Sequence, residues 1–240
     1  MKNLNILVFL LIFNTFILLG YISSTITGNV VQERITGNIT RVIDGDTVKM
    51  CLGEVITSVR LLGINTPEKK QPYHDEAMNF LKKYEGKLVE VEERGTDKYE
   101  RTLGYLYFDN QLINAEVLRQ GFANLYVYEK DEHYTELKNA EEYARENNLG
   151  LWKRSKNFGC VRIKEFEPVD ETAEDKETLI LENNCNIKLN IILKDDANHI
   201  YTETINKNSD LEMSFKDIWN DDGDSMYIRD DSGLLLFYRY

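Results

Sequence analysis

Asp44-Gly45-Asp46-Thr47 is followed, after a short hairpin, by Arg60-Leu61-Leu62-Gly63-Ile64-Asn65-Thr66-Pro67-Glu68, and the reading of the chain turns on these two segments. Within twenty-five residues they collect carboxylates, a carboxamide, an arginine and a turn rich in free backbone groups. Carboxylate, carboxamide and carbonyl oxygens are the ligands that a hard cation such as calcium selects, and a guanidinium beside them grips a phosphate through two parallel hydrogen bonds. The combination points to metal-assisted phosphodiester chemistry.

Working outward, Ile39–Met50 and Val55–Leu62 read as strands around the hairpin loop Cys51-Leu52-Gly53-Glu54. Ala77, Phe80 and Leu81 at i, i+3, i+4 predict a helix over His74–Tyr84, and Leu88–Val91 and Leu103–Phe108 return to strand before the turn Asp109-Asn110. Asn114 is placed to cap a short helix through Gln120 that Gly121 ends, and Asp131 to open a longer one closing near Gly150. Strands first and helices last fit a five-strand antiparallel β-barrel with helices packed on it, an α+β OB-fold of the kind that engages oligonucleotides. Trp152 is expected to seal the last helix to this body.

After Lys153–Phe158 the pattern changes. Val161–Phe166, Glu177–Glu182, Ile187–Leu193, Met226–Arg229 and Leu234–Tyr238 are strand-like and separated by Asn, Asp, Ser and Gly turns, which predicts an all-β, Ig-like sandwich over residues 160–240. Residues 38–155 form the barrel domain and 23–37 a polar linker. Residues 1–22 are a signal peptide or membrane anchor, since 6–22 carry no charge and follow a single Lys2. That length falls just short of the roughly 20 residues that cross a bilayer, and no A-x-A-like cleavage site follows, which favours an anchor over a cleaved signal. The protein is then extracytoplasmic, secreted or held at the membrane through its N-terminal segment.

The net charge of −12 argues at first against nucleic acid, whose binders carry a basic footprint. Its distribution weakens the objection: residues 37–155 hold 17 Lys+Arg against 21 Asp+Glu, whereas residues 156–240 hold 10 against 19. Cys51, Cys160 and Cys185 fit no metal-binding spacing; Cys160 and Cys185 share the second half and can pair there in an oxidising compartment, or stay as free thiols. His74, His133 and His199 show no ligand spacing, so packing or surface roles suffice for them, and Asp221-Asp222-Gly223-Asp224 reads as a hairpin turn.

The first domain resembles the staphylococcal-nuclease-like (thermonuclease) family over about residues 38–155. The resemblance is carried by Asp44-Gly45-Asp46-Thr47, Val59-Arg60-Leu61, Thr66-Pro67-Glu68, Asp97-Lys98-Tyr99-Glu100-Arg101, Asn114 to Gly121 and Tyr126-Val127-Tyr128, in the family's order and spacing. It implies that Arg60, Glu68 and Arg101 are catalytic and that calcium is held by Asp46, Asn65 and the carbonyl of Thr66, with Asp44 just behind. Lys98, Tyr99, Tyr126 and Tyr128 match positions that contact bound nucleic acid. DNA and RNA are the implied substrates, cut to leave 3′-phosphate ends. The family often has Asp where this chain has Asn65; an amide keeps the ligand oxygen and drops a charge, so on sequence alone Asn65→Asp is expected to tighten calcium.

Residues 160–240 are similar to a lamin-tail domain. The likeness rests on Val161–Phe166, Leu193–Thr202 and Trp219–Asp230, and implies an accessory role. The rival to an exported calcium-dependent nuclease is a non-catalytic nucleic-acid-binding or adhesion protein with a decayed site. Intact Arg60, Glu68 and Arg101 weigh against decay, whereas Asn65 and the acidic charge weigh for it.

Overall fold

The segment read as one strand, Ile39–Met50, is two. In the computed structural model, which describes residues 33–127, 129–168, 177–197, 199–216, 218–220 and 223–240, β1 (Arg34–Val42) runs antiparallel to β2 (Thr47–Leu52), and the turn between them carries Asp44 and Asp46. Asp-Gly-Asp breaks the strand because aspartates bond their own backbone: Asp46 N donates to Asp44 Oδ1. β1 starts at Arg34, inside the stretch read as linker; residues 1–22 and the start of that linker lie outside the described residues. Among the described residues no helix is long and apolar enough to cross a membrane.

β3 (Val55–Leu61) follows β2 through the tight turn Gly53-Glu54, where Gly53 takes φ 64°. With β5 (Leu88–Thr96) and β6 (Thr102–Phe108) the strand order is β3-β2-β1-β5-β6, and a β3–β6 pairing closes the five strands into a barrel. That closing pair is parallel, where an all-antiparallel barrel was expected. Short β7 (Gln111–Leu112) folds back antiparallel on the end of β6. β4 (Gly63–Asn65) and β8 (Asn124–Tyr126) form a separate antiparallel ladder of three residue pairs.

Helix α1 (His74–Lys82) buries Ala77, Phe80 and Leu81, as their spacing demands. In α2 (Ile113–Arg119), Asn114 is no cap. It is fully buried inside the helix, its oxygen accepts from Leu106 N, and its nitrogen donates to the Leu62 and Gly104 carbonyls, tying α2 to the end of β3 and to β6. α3 (Tyr134–Glu146) starts after the Asp131 turn, whose Oδ1 accepts from His133 N. Ile39, Val48, Val59, Leu61, Val91 and Leu106 from the barrel meet Leu118 and Leu137 from the helices in one core.

The C-terminal half holds two sheets. One has β9 (Val161–Glu167) and β13 (Ser209–Phe215) on either side of β10 (Glu177–Asn183). The other, in the order β12-β11-β14-β15, contains β11 (Leu189–Lys194), β12 (Ile200–Ile205), β14 (Ser225–Asp230) and β15 (Gly233–Arg239). Leu179 and Leu181 of the first sheet share a core with Ile191, Leu193, Ile205 and Ile228 of the second. β12 and β13 escaped the sequence reading because they bury few side chains, Ile205, Met213 and Phe215. Cys160 and Cys185 are joined in a disulfide, leaving Cys51 free.

Ile35–Tyr240 forms one unit, so the barrel and the C-terminal sheets are in firm contact. Trp152, 1% exposed, seals α3 against these sheets and not against the barrel: its ring meets Phe237 edge-on at 5.0 Å and Tyr227 at 5.8 Å, with Ala144 and Leu234 completing the cluster. Arg239 of β15 grips the fully buried Glu141 of α3 with two hydrogen bonds, 2.6 and 3.1 Å. Asp230 accepts from Ser155 Oγ and Asn157 Nδ2, and Ser155 N donates to Leu234 O.

Candidate functional site

The β1–β2 turn approaches β4 closely. A Cβ on Gly45 would lie 2.6 Å from Ala77 Cβ and 2.8 Å from Thr66 Oγ1, so only glycine lets the Asp44–Thr47 turn settle there. The turn delivers Asp46, 7% exposed, whose Oδ2 accepts from Thr66 N at 3.0 Å and Thr66 Oγ1 at 2.8 Å and pairs with Arg60 Nη2 at 3.2 Å. Asp46 Oδ1 accepts from Thr47 Oγ1. Burial, with the Asp46 charge next, pushes the Asp44 carboxyl above its ordinary value.

Arg60 is held in place by its own backbone neighbourhood. Nη1 donates to Leu61 O at 2.5 Å and Nη2 to Ile64 O at 2.9 Å, which fixes the plane of the guanidinium before any ligand arrives. The parallel register Arg60↔Leu103 brings Arg101, just before β6, to the same barrel edge. Arg101 Nε donates to Asp97 Oδ2 at 2.7 Å, and Asp97 Oδ1 accepts the backbone N–H groups of Tyr99 and Arg101. This Asx-type turn presents Tyr99, 67% exposed, with the Lys98 ammonium 5.1 Å and the Arg101 guanidinium 5.5 Å from its ring centroid. An exposed ring flanked by two cations is suited to stacking on a base beside a phosphate.

Glu68 is exposed, two residues beyond Thr66; its backbone N–H donates to Gln71 Oε1 and its carbonyl accepts from Gln71 N. His74 Nδ1 meets the Pro67 carbonyl at 2.9 Å and steadies the same turn. Asp46, Arg60 and Thr66 thus form one hydrogen-bonded cluster, with Asn65 adjoining it in β4. Tyr126 lies across from Gly63 in β8, and Tyr128 lies outside the described residues.

The donor chemistry fits a hard cation. Asp46, Asn65 and the Thr66 carbonyl offer oxygen alone. Asn124, the cross-strand partner of Asn65, is 5% exposed and buries an amide oxygen that no described residue satisfies, so this wall of the site has spare acceptor capacity.

Three features were missed by sequence reading. Asn124 was not singled out. Asn65 Nδ2 donates to the Asp196 and Ala197 carbonyls, 2.9 and 3.1 Å away, on a loop of the C-terminal half, and no local signal announces a partner 131 residues distant. Glu92, Glu132 and His133 also come together, with potential ligand atoms within 4.8 Å of one another, although His133 shows no ligand spacing. Arg94 ion-pairs with both carboxylates of that group, and His133 Nε2 sits 3.0 Å from Glu92 Oε1, so one fixed cation already offsets part of its negative charge.

A closed five-strand barrel carrying a carboxylate–guanidinium–amide cluster on one edge defines an OB-like class of protein. The chain belongs to the staphylococcal nuclease homologue family, whose profile matches residues 58–154. It is 32% identical over 126 residues to the thermonuclease of Staphylococcus intermedius, covering 48% of this chain and 75% of that one. It is 34% identical over 125 residues to an uncharacterized endonuclease of Haemophilus influenzae, covering 50% and 68%. Against the SPbeta prophage-derived endonuclease YokF of Bacillus subtilis it is 33% identical over 151 residues, 55% of this chain, and spans about half (51%) of that protein's length.

Proposed function

We propose that this protein is an exported, calcium-dependent nuclease that hydrolyses phosphodiester bonds of DNA and RNA and leaves 3′-phosphate ends. The observation that carries the reading is the cluster in which Asp46 accepts from Thr66 and Arg60 while Asn65 stands beside it, because it joins a hard-cation donor set to a pre-aligned guanidinium. The nuclease names of the relatives support it.

In this reading Asp46, Asn65 and the Thr66 carbonyl hold the cation. When bound, calcium supplies neutralisation of a phosphate oxygen and eases formation of hydroxide. Glu68 takes the proton of the attacking water. Arg60 and Arg101 donate to the phosphate oxygens, where charge grows in the transition state, and hydrogen bonds aimed there act on turnover more than on binding. Lys98 steers phosphates, while Tyr99, Tyr126 and Tyr128 contact bases and suit single-stranded or frayed substrate. The C-terminal sheets are read as an Ig-like accessory module of lamin-tail type. Export is supported by the Cys160–Cys185 disulfide, which persists in oxidising compartments.

The test is a cleavage assay on the full chain in mild detergent with single-stranded DNA and with RNA, with calcium and then with chelator. Calcium-dependent cleavage is expected. Binding of either nucleic acid without cleavage would replace this reading with that of a non-catalytic binder.

A further inference from the structure

We propose that the C-terminal sheets are part of the cation site: the Asp196 and Ala197 carbonyls hold the Asn65 nitrogen and so aim its oxygen, which makes asparagine the residue this chain needs at position 65. The inference rests on the reading of residue 65 as a cation ligand and adds what sets its direction.

The amide orientation is dictated by hydrogen-bond chemistry. Asn65 Nδ2 stands 2.9 Å from Asp196 O and 3.1 Å from Ala197 O, and two carbonyl oxygens accept only a donor, so the NH2 faces the loop and Oδ1 faces away from it. Asn65 is 8% exposed, so water cannot replace these bonds cheaply. An aspartate here would set a carboxylate oxygen against two carbonyl oxygens in a nearly dry place. The missing charge that counted against the site on sequence alone is therefore matched by a nitrogen with a use.

The loop that accepts these bonds is itself fixed. Asp196 Oδ1 accepts from Tyr227 OH at 2.5 Å, Asp196 N donates to Asp224 Oδ1 at 3.1 Å, and Lys194 Nζ donates to the Asp195 and Ala197 carbonyls. Asp195 in turn accepts from His199 N at 3.0 Å. The same sheets hold the ligand strand a second time: Arg239 grips Glu141, whose Oε1 accepts from Leu125 N at 2.7 Å, and Leu125 pairs with Ile64 in the β4–β8 ladder. A ladder of three residue pairs has little stiffness of its own, and both of its strands are tied to the C-terminal half. Tyr227 is thus a positioning residue that acts on residue 65 through Asp196.

The experiment measures calcium affinity by calorimetry on the full chain in mild detergent, well below the melting temperature, and amide hydrogen exchange of residues 193–199 in chelator. The samples are the wild type, Asn65→Asp, Asn65→Ala and Tyr227→Phe. Asn65→Asp is expected to bind calcium no tighter than wild type despite its added charge, and to lose exchange protection in the loop. Tyr227→Phe keeps the ring and touches no ligand, yet should weaken calcium about tenfold, the scale of effects when a ligand's hydrogen-bonded support is loosened. Tighter calcium binding by Asn65→Asp with loop protection intact would overturn the proposal, as would wild-type affinity in Tyr227→Phe. If Asn65→Ala binds calcium as wild type does while its loop loses protection, the contact is real but residue 65 is no ligand, and the reading beneath the proposal falls with it. Wild-type protection in Asn65→Ala would remove the contact and leave the nuclease reading standing.

Discussion

Arg239→Met tests whether the two halves are held by charge as much as by packing. Glu141 is fully buried, and its two oxygens receive Arg239 Nη1 at 2.6 Å, Arg239 Nη2 at 3.1 Å and Leu125 N at 2.7 Å. Burial lowers the pKa of the Arg239 guanidinium, but the charge and hydrogen bonds of Glu141 outweigh that and hold it above the ordinary value. Removing the arginine leaves a carboxylate in a dry interior with one backbone donor, a situation that costs about 3–5 kcal/mol. For a chain of this size that corresponds to about 6–20 °C in melting temperature. Arg239→Met combined with Glu141→Gln keeps an acceptor for Leu125 N while removing the stranded charge, and should recover more than half of the loss. Arg239→Lys should fall between, because an ammonium cannot form the fork. Urea unfolding followed by tryptophan fluorescence reads the effect directly, since Trp152 sits in the joint. A single variant that loses less than about 1 kcal/mol, the scale of an exposed pair, would refute the reasoning.

Glu68→Gln and Arg101→Ala should each lower turnover by about 100-fold or more with little change in melting temperature, because both side chains are at least partly exposed and are assigned to the transition state; near wild-type rates in either would cancel its assignment. Reducing the Cys160–Cys185 bridge, which spans 25 residues, should cost about 3 kcal/mol, and thiol labelling of the oxidised protein should find Cys51 alone; three reactive thiols would disprove the pairing. Burial raises the Glu92 carboxyl, but hydrogen bonds with His133 and Arg94 outweigh it and hold the group below its ordinary 4.5. The stability this contributes is present above about pH 4.5 and lost as the pH falls through the folded value, so Glu92→Gln should flatten the acid limb of stability against pH; an unchanged limb would exclude the linkage.

Much of the barrel was legible because its signals are local. Ala77, Phe80 and Leu81 recur at helical spacing and face inward, and a glycine marks the β2–β3 turn. The β1–β2 break was legible too, in the Asp-Gly-Asp that a strand does not tolerate, yet it was read as chemistry and not as a turn. In fact it is both: Asp46 reaches Thr66 because the chain reverses at Gly45. Asn114 shows the opposite failure. Its place beside a short helix invited a cap, whereas its side chain serves the backbone of β6 and the end of β3, elements eight and more residues away. Long-range partners of a polar side chain leave no periodicity to find.

Asn65 carries this furthest. On sequence alone the residue is aspartate minus a charge, since the proposed ligand role uses its oxygen and says nothing of the nitrogen. The nitrogen that replaces the second oxygen has a purpose only if a donor is needed on the far side, and the Asp196 and Ala197 carbonyls supply that need from a loop that the family match, ending at residue 154, does not include. A substitution that looks like decay within one domain therefore becomes a requirement once the second half is in contact. The same logic explains why β4, three residues long and outside the barrel sheet, suffices to carry a site: its direction is set from both sides, by Asp46 on the Thr66 amide and by the C-terminal loop on the Asn65 amide.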